Sequence, residues 1–288
     1  MPGKLYLVGT PIGNLGDITL RALETLRQTK HIAAEDTRRT RQLLTHFGVH
    51  ERALHALDAN ASPRKITELL ALLESDEDIA LVTDAGMPSV SDPGTALVRE
   101  AHARGINVCP IPGPSAVTAA VGASGLVDGS FLFLGFLARH GRKRKDALTR
   151  IEKSLEPVVI FESPQRIAAT LRELNLRIPE RACTLCREIS KIHEEITPST
   201  IGELSLRDGE WRGEITLVIA AAEEREEAAI DLAPLEALIA SRLAEGASVK
   251  TLVSELGDET ALPRRELYAL VQRLREEREA SLESSDSQ

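Results

Sequence analysis

The first 220 residues alternate between short apolar runs and longer segments with helical periodicity. Apolar runs of about four to six residues are typical of buried strands, and apolar residues spaced three and four apart are typical of helices with one buried face. The alternation therefore predicts a sheet whose strands are joined by helical crossovers. The first half is predicted to contain strands at Leu5–Val8, His31–Ala34, Ala53–Leu57, Ile79–Thr83 and Asn107–Ile111, and helices at Ile18–Thr29, Thr37–Phe47, Pro63–Glu74 and Gly94–Arg104.

The pattern restarts after Pro114, which indicates a second unit of the same class. Its predicted helices are Ser115–Ala123, Arg142–Ser154 and Pro164–Asn175, and its predicted strands are Phe131–Phe136, Val158–Phe161, Arg181–Arg187, Thr200–Leu206 and Glu214–Ala220. We expect two α/β domains, residues 1–112 and 113–222, with a cleft between them. Helical patterns at Leu235–Leu243, Val249–Leu256 and Arg264–Glu279 predict a small helical domain over 231–280, and the polar tail 281–288 is expected to be disordered.

Charge is distributed unevenly along the chain. The formal net charge is -9, but the segment from Glu223 to the end holds 16 acidic and 8 basic residues, so the preceding part is nearly neutral. A local basic cluster can bind phosphate despite a negative total, because screening makes nearby charges dominate. Two clusters are candidates for RNA binding, the alternative being a solvated basic face: Arg38, Arg39 and Arg41, and Arg139, Arg142, Lys143, Arg144 and Lys145.

The three cysteines are too few to crosslink a chain of 288 residues, which indicates a reducing compartment. Cys183 and Cys186 have the spacing of a metal or redox pair, but no second pair completes a zinc site, so a buried strand is the favoured interpretation. No apolar run is long enough to span a bilayer, and the apolar stretch at the start is too short for a signal peptide. A cytoplasmic protein is expected.

Three loops rich in glycine and proline follow predicted strands. The first, Gly9–Gly16, and the second, Thr83–Gly94, each lead from a strand into a helix, where glycine permits close approach of backbone to a ligand. A plain strand–helix turn is the alternative for the first, and Asp92 could be only a helix cap. The third, Pro110–Ala116, could be a stiff connection capped by Ser115, or could place that serine in the cleft.

Charged residues end two strands of the second half. Glu162 follows one apolar run, and Arg187 and Glu188 follow another, at the edge where α/β sheets display functional side chains. A structural ion pair among these residues and Arg166 is an equally good interpretation.

Taken together and in order, the loops resemble the tetrapyrrole methylase superfamily. Within it they look like the branch that methylates the 2′-hydroxyl of a cytidine in the decoding region of 16S rRNA. Ala138 and Gln165 depart from that branch, where proline and histidine are usual. The resemblance is carried by Leu5–Thr19, Ala33–Arg38, Asp84–Pro88 with Ser91–Gly94, Pro112–Ser115, Gly135–Leu137, Glu162–Pro164 and Arg187–Lys191.

The resemblance implies two α/β domains with S-adenosylmethionine in the cleft, a homodimer, no metal, and 16S rRNA of the 30S subunit as partner. Glu162, Glu188 and Lys191 are candidates to position or deprotonate the ribose hydroxyl. The alternatives are methylation of a tetrapyrrole or another small acceptor, and a ribosome-bound module that holds the cofactor without catalysis. Carried over by position, the cofactor contacts are Pro11, Asp84, Ala85, Gly86, Met87, Ser115 and Phe161.

Overall fold

A computed structural model describes residues 2–58, 62–84, 86–88, 94–223, 232–257, 260 and 264–285. Ala85 and Asp92, which the sequence singled out, lie outside these ranges. The chain divides into two compact units, Met1–Glu223 and Glu224–Gln288. The larger unit holds two five-stranded sheets with helices between their strands, which confirms the predicted α/β class.

The first sheet is entirely parallel, with strand order β3-β2-β4-β1-β5. Since parallel strands end at one edge of the sheet, the loops that leave β1, β2 and β4 emerge side by side. Apolar side chains on both faces bury this sheet between helices, as its nearly continuous apolar strands require. Its strands are β1 (Leu5–Val8), β2 (His31–Ala34), β3 (Ala53–Ala56), β4 (Ile79–Val82) and β5 (Val108–Ile111), and its helices are α1 (Leu20–Gln28), α2 (Thr37–His46), α3 (Pro63–Glu74) and α4 (Thr95–Ala103).

The second sheet is mixed, with order β6-β7-β10-β8-β9. The β6–β7 pair is parallel and the other three pairs are antiparallel. Its strands are β6 (Leu132–Phe136), β7 (Val158–Glu162), β8 (Ala182–Arg187), β9 (Glu195–Thr200) and β10 (Ile215–Ile219), and its helices are α5 (Ala116–Ser124), α6 (Arg142–Lys153), α7 (Ile167–Asn175) and α8 (Ile201–Ser205).

The strand predicted at Thr200–Leu206 is wrong. The strand lies just before it, as β9, and Ile201–Ser205 forms α8. Thr200 starts the helix with a capping box, in which its hydroxyl accepts from the Glu203 N–H at 3.2 Å and its own N–H donates to that carboxylate at 3.0 Å. The apolar spacing of Ile201 and Leu204 is therefore that of a helix with one buried face.

Cys183 and Cys186 lie on β8 and are fully buried, which confirms their prediction as core residues. Burial raises the pKa of Cys183 to about 12 and that of Cys186 to about 11. Both thiols therefore stay protonated at neutral pH and pack as small apolar groups.

The smaller unit consists of α9 (Ala233–Ala244), α10 (Val249–Leu256) and α11 (Arg264–Ser285), packed around an apolar core that includes Ile239, Leu252 and Leu267. Helix α11 continues to Ser285, past residue 281 where the polar tail was predicted to begin. No glycine or proline interrupts the sequence after Arg264, so nothing local ends the helix earlier. In the described parts of the chain no helix is both long and apolar enough to cross a membrane.

An ion pair network braces the edge of the second sheet. The Glu195 carboxylate accepts hydrogen bonds from Arg207 at 2.6 Å, Arg187 at 2.8 Å and Thr197 at 3.2 Å. Arg207 also lies over the Trp211 ring, 4.7 Å from its centroid. The hydrogen bond from Arg207, with that from Arg187, lowers the pKa of Glu195 from 4.5 to about 2 despite partial burial.

We expect Glu195→Gln to lower the free energy of unfolding at pH 7 by about 2 kcal/mol, since it removes the charge that both guanidiniums bind. A carboxylate with a depressed pKa stabilises the fold above its unfolded value of 4.5 and loses that contribution as pH falls towards 2. Urea unfolding should therefore show a gap between wild type and variant that persists to about pH 4.5 and closes towards pH 2. The control is Glu210→Gln, whose pair with Arg212 is exposed; a gap independent of pH would contradict the assignment.

Candidate functional site

The three glycine- and proline-rich loops meet at the carboxyl edge of the first sheet. The Thr10 N–H donates to the Gly86 carbonyl at 3.0 Å, and the Thr10 hydroxyl donates to the Thr83 carbonyl at 2.8 Å. A Cβ on Gly86 would lie 2.8 Å from the Pro114 carbonyl oxygen and 3.1 Å from Ile12 Cγ2. These loops therefore pack so closely that only glycine fits at their crossing point.

The loops form one wall of a largely apolar cavity of about 250 Å³. The opposite wall comes from the second sheet, where the Phe161 ring lies 5.0 Å from that of Phe133 and 5.5 Å from that of Phe136. We call this the first cavity. Its lining is Ile12, Met87, Ser115, Ala116, Val117, Phe136, Phe161, Glu162, Ser163, Pro164, Gly213, Glu214, Ile215 and Thr216.

A second cavity, of about 490 Å³ and more polar, lies beside the first. Among the described residues that line them, Ile12 and Glu214 belong to both, so these two side chains form the boundary between the cavities. The second cavity is lined by Thr10, Pro11, Ile12, Gly13, Leu15, Arg39, Thr40, Gln42, Leu43, His46, Thr83, Asp84, Lys191 and Glu214.

The predicted cofactor residues fall into two groups. Met87, Ser115 and Phe161 line the first cavity, whereas Pro11 and Asp84 line the second. Gly86 supports the wall between them through its contacts with Thr10 and Ile12, described above. The structure thus brings these residues to one region but divides their side chains between two spaces.

Lys191 and Glu188, two of the catalytic candidates, lie with Glu214 at the boundary. The Lys191 ammonium is 2.8 Å from Glu188 Oε1 and 3.1 Å from Glu214 Oε2, and the Glu214 N–H donates to Glu188 Oε1 at 2.8 Å. Gly13 and Gly213 make room for this cluster, because a Cβ on either would overlap Lys191 or Glu188.

The cluster fixes the charges of its members. The hydrogen bond from Lys191 lowers the pKa of Glu188 in spite of partial burial. Burial acts to lower the pKa of Lys191, but its hydrogen bonds to Glu188 and Glu214 outweigh burial and raise it. At neutral pH Lys191 is therefore a cation that can orient a carboxylate, and it cannot serve as a neutral base.

Glu162, the third catalytic candidate, is held in a structural network. Its carboxylate is fully buried and accepts from the Ser163 N–H at 2.9 Å and the Thr170 hydroxyl at 2.7 Å, and it lies 3.3 Å from Arg166 Nε. With both oxygens engaged, Glu162 positions the β7–α7 turn. These contacts favour the structural alternative, although Glu162 also lines the first cavity, and its catalytic role stays a prediction.

Asp84 lies between opposing charges at the floor of the second cavity. Burial and the neighbouring Glu35 raise the pKa of Asp84, while Arg39, 3.5 Å away, opposes them. Its Oδ1 is buried and has no hydrogen-bond partner among the described residues.

The basic clusters divide by exposure. Arg38, Arg39 and Arg41 are exposed on α2, and Arg139, Arg142, Lys143 and Lys145 are exposed at the start of α6. The prediction of Arg144 as an RNA contact is wrong, because its side chain is buried and donates to Glu173 at 3.1 Å, Thr170 at 3.0 Å and the Ala138 carbonyl at 3.2 Å.

Sequence reasoning missed several residues that line the cavities, of which Ile12, Gln42, His46, Phe136 and Glu214 are the most informative. Ile12 lies inside a loop that had been singled out for its glycines, and Glu214 follows Gly213 directly before a strand. Both signals can be recognised in the sequence. The sequence does not show that α2 and the start of β10 lie close together, because that depends on packing between distant segments. No group of three or more histidine, cysteine or acidic side chains that could hold a metal ion occurs among the described residues.

One parallel sheet and one mixed sheet, joined at a loop-lined cavity, define a fold class, and comparison with known proteins identifies it. The chain belongs to the Tetrapyrrole (Corrin/Porphyrin) Methylases, whose family model matches residues 4–205. The resemblance found in the sequence is thereby confirmed.

Relatives within the family share much of their sequence with this chain. A Synechocystis sp. protein named Ribosomal RNA small subunit methyltransferase I is 41% identical over 271 residues, covering 93% of this chain and 97% of that protein. A Thermotoga maritima protein of the same name is 44% identical over 223 residues, covering 77% of this chain and 100% of that protein.

A solved structure shares the fold at low sequence identity. The Uroporphyrin-III C-methyl transferase from Thermus thermophilus, complexed with S-adenyl homocysteine, superimposes with a TM-score of 0.55 at 18% identity. The alignment covers 76% of this chain and 97% of that chain.

Proposed function

We propose that this chain transfers a methyl group from S-adenosylmethionine to the ribose 2′-hydroxyl of a cytidine in the decoding region of 16S rRNA, on the assembled 30S subunit. The name of its relatives supports rRNA as the acceptor, and the ligand of the uroporphyrin enzyme supports the cofactor. The observation that carries the proposal is the pair of cavities that share Ile12 and Glu214. One cavity suits the methyl donor and the other suits the acceptor.

The first cavity fits the donor by its chemistry. The aromatic rings of Phe136 and Phe161 offer faces on which an adenine can pack. The glycine loops on the opposite side let backbone groups approach a ligand closely, as the contact between Gly86 and Pro114 illustrates. Met87 and Ser115 complete that wall, and Pro11 and Asp84 border the donor from the adjoining space.

RNA is held outside these cavities by exposed cations. The α2 arginines lie at the rim of the second cavity, and Arg139, Arg142, Lys143 and Lys145 form a further basic surface. Phosphate contacts of this kind supply affinity and position the nucleic acid without reading its sequence.

Bound S-adenosylmethionine supplies a methyl group activated by the sulfonium. The protein must place the ribose oxygen in line with that methyl carbon and remove one proton. Lys191 holds the Glu214 carboxylate at the boundary, where an acceptor hydroxyl can donate to it. Glu214 would accept the proton that this hydroxyl loses on methylation and would release it to solvent. Glu188 keeps Lys191 charged and in place.

The remaining features of the proposal concern the assembly. The protein is a cytoplasmic homodimer, and residues 1–112 and 113–222 are the two α/β domains of each subunit. The smaller helical unit docks on the ribosome or supports the dimer. The excess of acidic residues after Glu223 disfavours strong binding of that unit to a duplex.

The proposal is tested by transfer of labelled methyl from S-adenosylmethionine to 30S subunits from a strain that lacks this gene, followed by mapping of the labelled nucleotide. We expect one label on a cytidine 2′-oxygen of the decoding region. Transfer to a precorrin and none to subunits would establish the small-acceptor alternative instead. Cofactor binding without transfer to either would establish a non-catalytic module.

A further inference from the structure

Helix α2 presents one face to the second cavity and the opposite face to the core. Leu44 is 4% exposed and packs in the apolar core beneath the helix. Its burial fixes the rotation of α2 about its axis. As a result Arg39, Gln42 and His46, which recur at three- and four-residue spacing, all line the second cavity.

The side chains on this face suit a nucleobase. The Gln42 amide carries both donors and an acceptor, so it can pair with the hydrogen-bonding edge of a base. The His46 ring is braced edge-on by Phe47, with centroids 4.8 Å apart at 90°, and offers a flat surface for stacking.

The outer side of the same helix suits phosphate. Arg38 and Arg41 line a shallow depression together with Gln42, Thr45 and His46. Gln42 and His46 therefore belong to the walls of both spaces. A base inside the second cavity would leave its flanking phosphates over the two exposed arginines, of which Arg38 also pairs with Asp36 at 3.0 Å.

From this arrangement we propose that the second cavity receives one nucleotide unstacked from the RNA, and that Gln42 and His46 are the residues that recognise its base. Gln42 reads the base edge, His46 stacks on the ring, and Arg38 and Arg41 hold the flanking phosphates. The ribose then reaches the boundary at Glu214. The inference rests on the proposed function. It adds base recognition by Gln42 and His46 to a helix for which the sequence had predicted only phosphate-binding arginines.

A reader of base identity has a signature that a structural residue lacks. A good amide–base pair is worth about 1–3 kcal/mol of discrimination, roughly a factor of 5 to 150 between bases. Loss of Gln42 should therefore narrow the difference between bases, whereas loss of a structural contact lowers transfer to every base by one factor.

The experiment uses the full chain and 30S subunits that carry each of the four bases at the target position. We compare kcat/KM of wild type, Gln42→Ala, His46→Ala and His46→Phe, with Gln28→Ala and His50→Ala as matched exposed controls. For Gln42→Ala the preference for the natural base should fall about tenfold. For His46→Ala transfer to all four bases should fall by similar factors, and His46→Phe, which keeps a flat ring for stacking, should recover most of that loss. The controls should match wild type.

An undiminished base preference in Gln42→Ala would overturn the role of Gln42, and a His46→Phe variant no more active than His46→Ala would overturn stacking by His46. In either case the proposed function stands. Failure of the wild type to methylate any subunit would overturn the proposed function, and the inference with it. The two failures are thus distinguished by the wild-type reaction alone.

Discussion

Replacing Glu214 by glutamine is expected to reduce methyl transfer at saturating S-adenosylmethionine by a factor of at least about 100, with little change in affinity for the cofactor. Glu214 lines both cavities and lies 3.1 Å from the Lys191 ammonium. An amide is isosteric with the carboxylate but cannot accept the hydroxyl proton, and removal of a positioned base typically costs a factor of 10² to 10⁴.

The measurement is single-turnover transfer to 30S subunits, with cofactor affinity determined separately by calorimetry. Glu210→Gln is the matched control. Glu210 lies four residues before Glu214 and pairs with Arg212 on the surface. Unchanged turnover in Glu214→Gln would remove Glu214 from the mechanism. A loss of cofactor affinity that accounts for the whole effect would instead make it a donor-binding residue.

Replacing Gly86 by alanine should weaken S-adenosylmethionine binding by a factor of at least about 10 and also destabilise the larger unit. A methyl group there would lie 2.8 Å from the Pro114 carbonyl oxygen, so two of the three loops must move apart. The positive φ of 94° adds backbone strain, of about 1–2 kcal/mol, for any residue with a Cβ.

Gly105→Ala separates the two causes. Gly105 also has a positive φ, 69°, but a Cβ there meets nothing within 4 Å. It should share the loss of stability, measured by urea unfolding, and leave cofactor affinity unchanged. Equal cofactor affinities for the two variants would show that the loop crossing is irrelevant to binding.

The sequence was sufficient to predict most of the larger unit because its central strands are buried on both faces and its helices on one. Such burial requires a continuous apolar run in a strand, as in Ile79–Val82, and apolar residues three and four apart in a helix, as in Pro63–Glu74. The pattern failed at Ile201–Ser205, where five residues span too little of a helix for its period to differ visibly from that of a strand. There the capping box at Thr200 was the informative signal.

The candidate site was predictable only in its local parts. Glycine and proline marked the loops, but they could not show that Asp84 faces a different cavity from Met87. Likewise Arg144 reads as one of several surface cations, and only the packing of α6 against α7 reveals that it is buried. Such distinctions depend on contacts between residues tens of positions apart, which periodicity does not encode.

The burial of Arg144 has a practical consequence for any charge scan of the α6 surface. Its planar guanidinium contacts a carboxylate, a hydroxyl and a carbonyl in different directions, and a lysine ammonium could not reproduce that set. Neutralising the whole segment at once would therefore remove the contacts that hold α6 in place, and the resulting loss of structure could be mistaken for a loss of RNA affinity. A scan that spares this one arginine keeps the helix seated and reports on the solvent-facing cations alone.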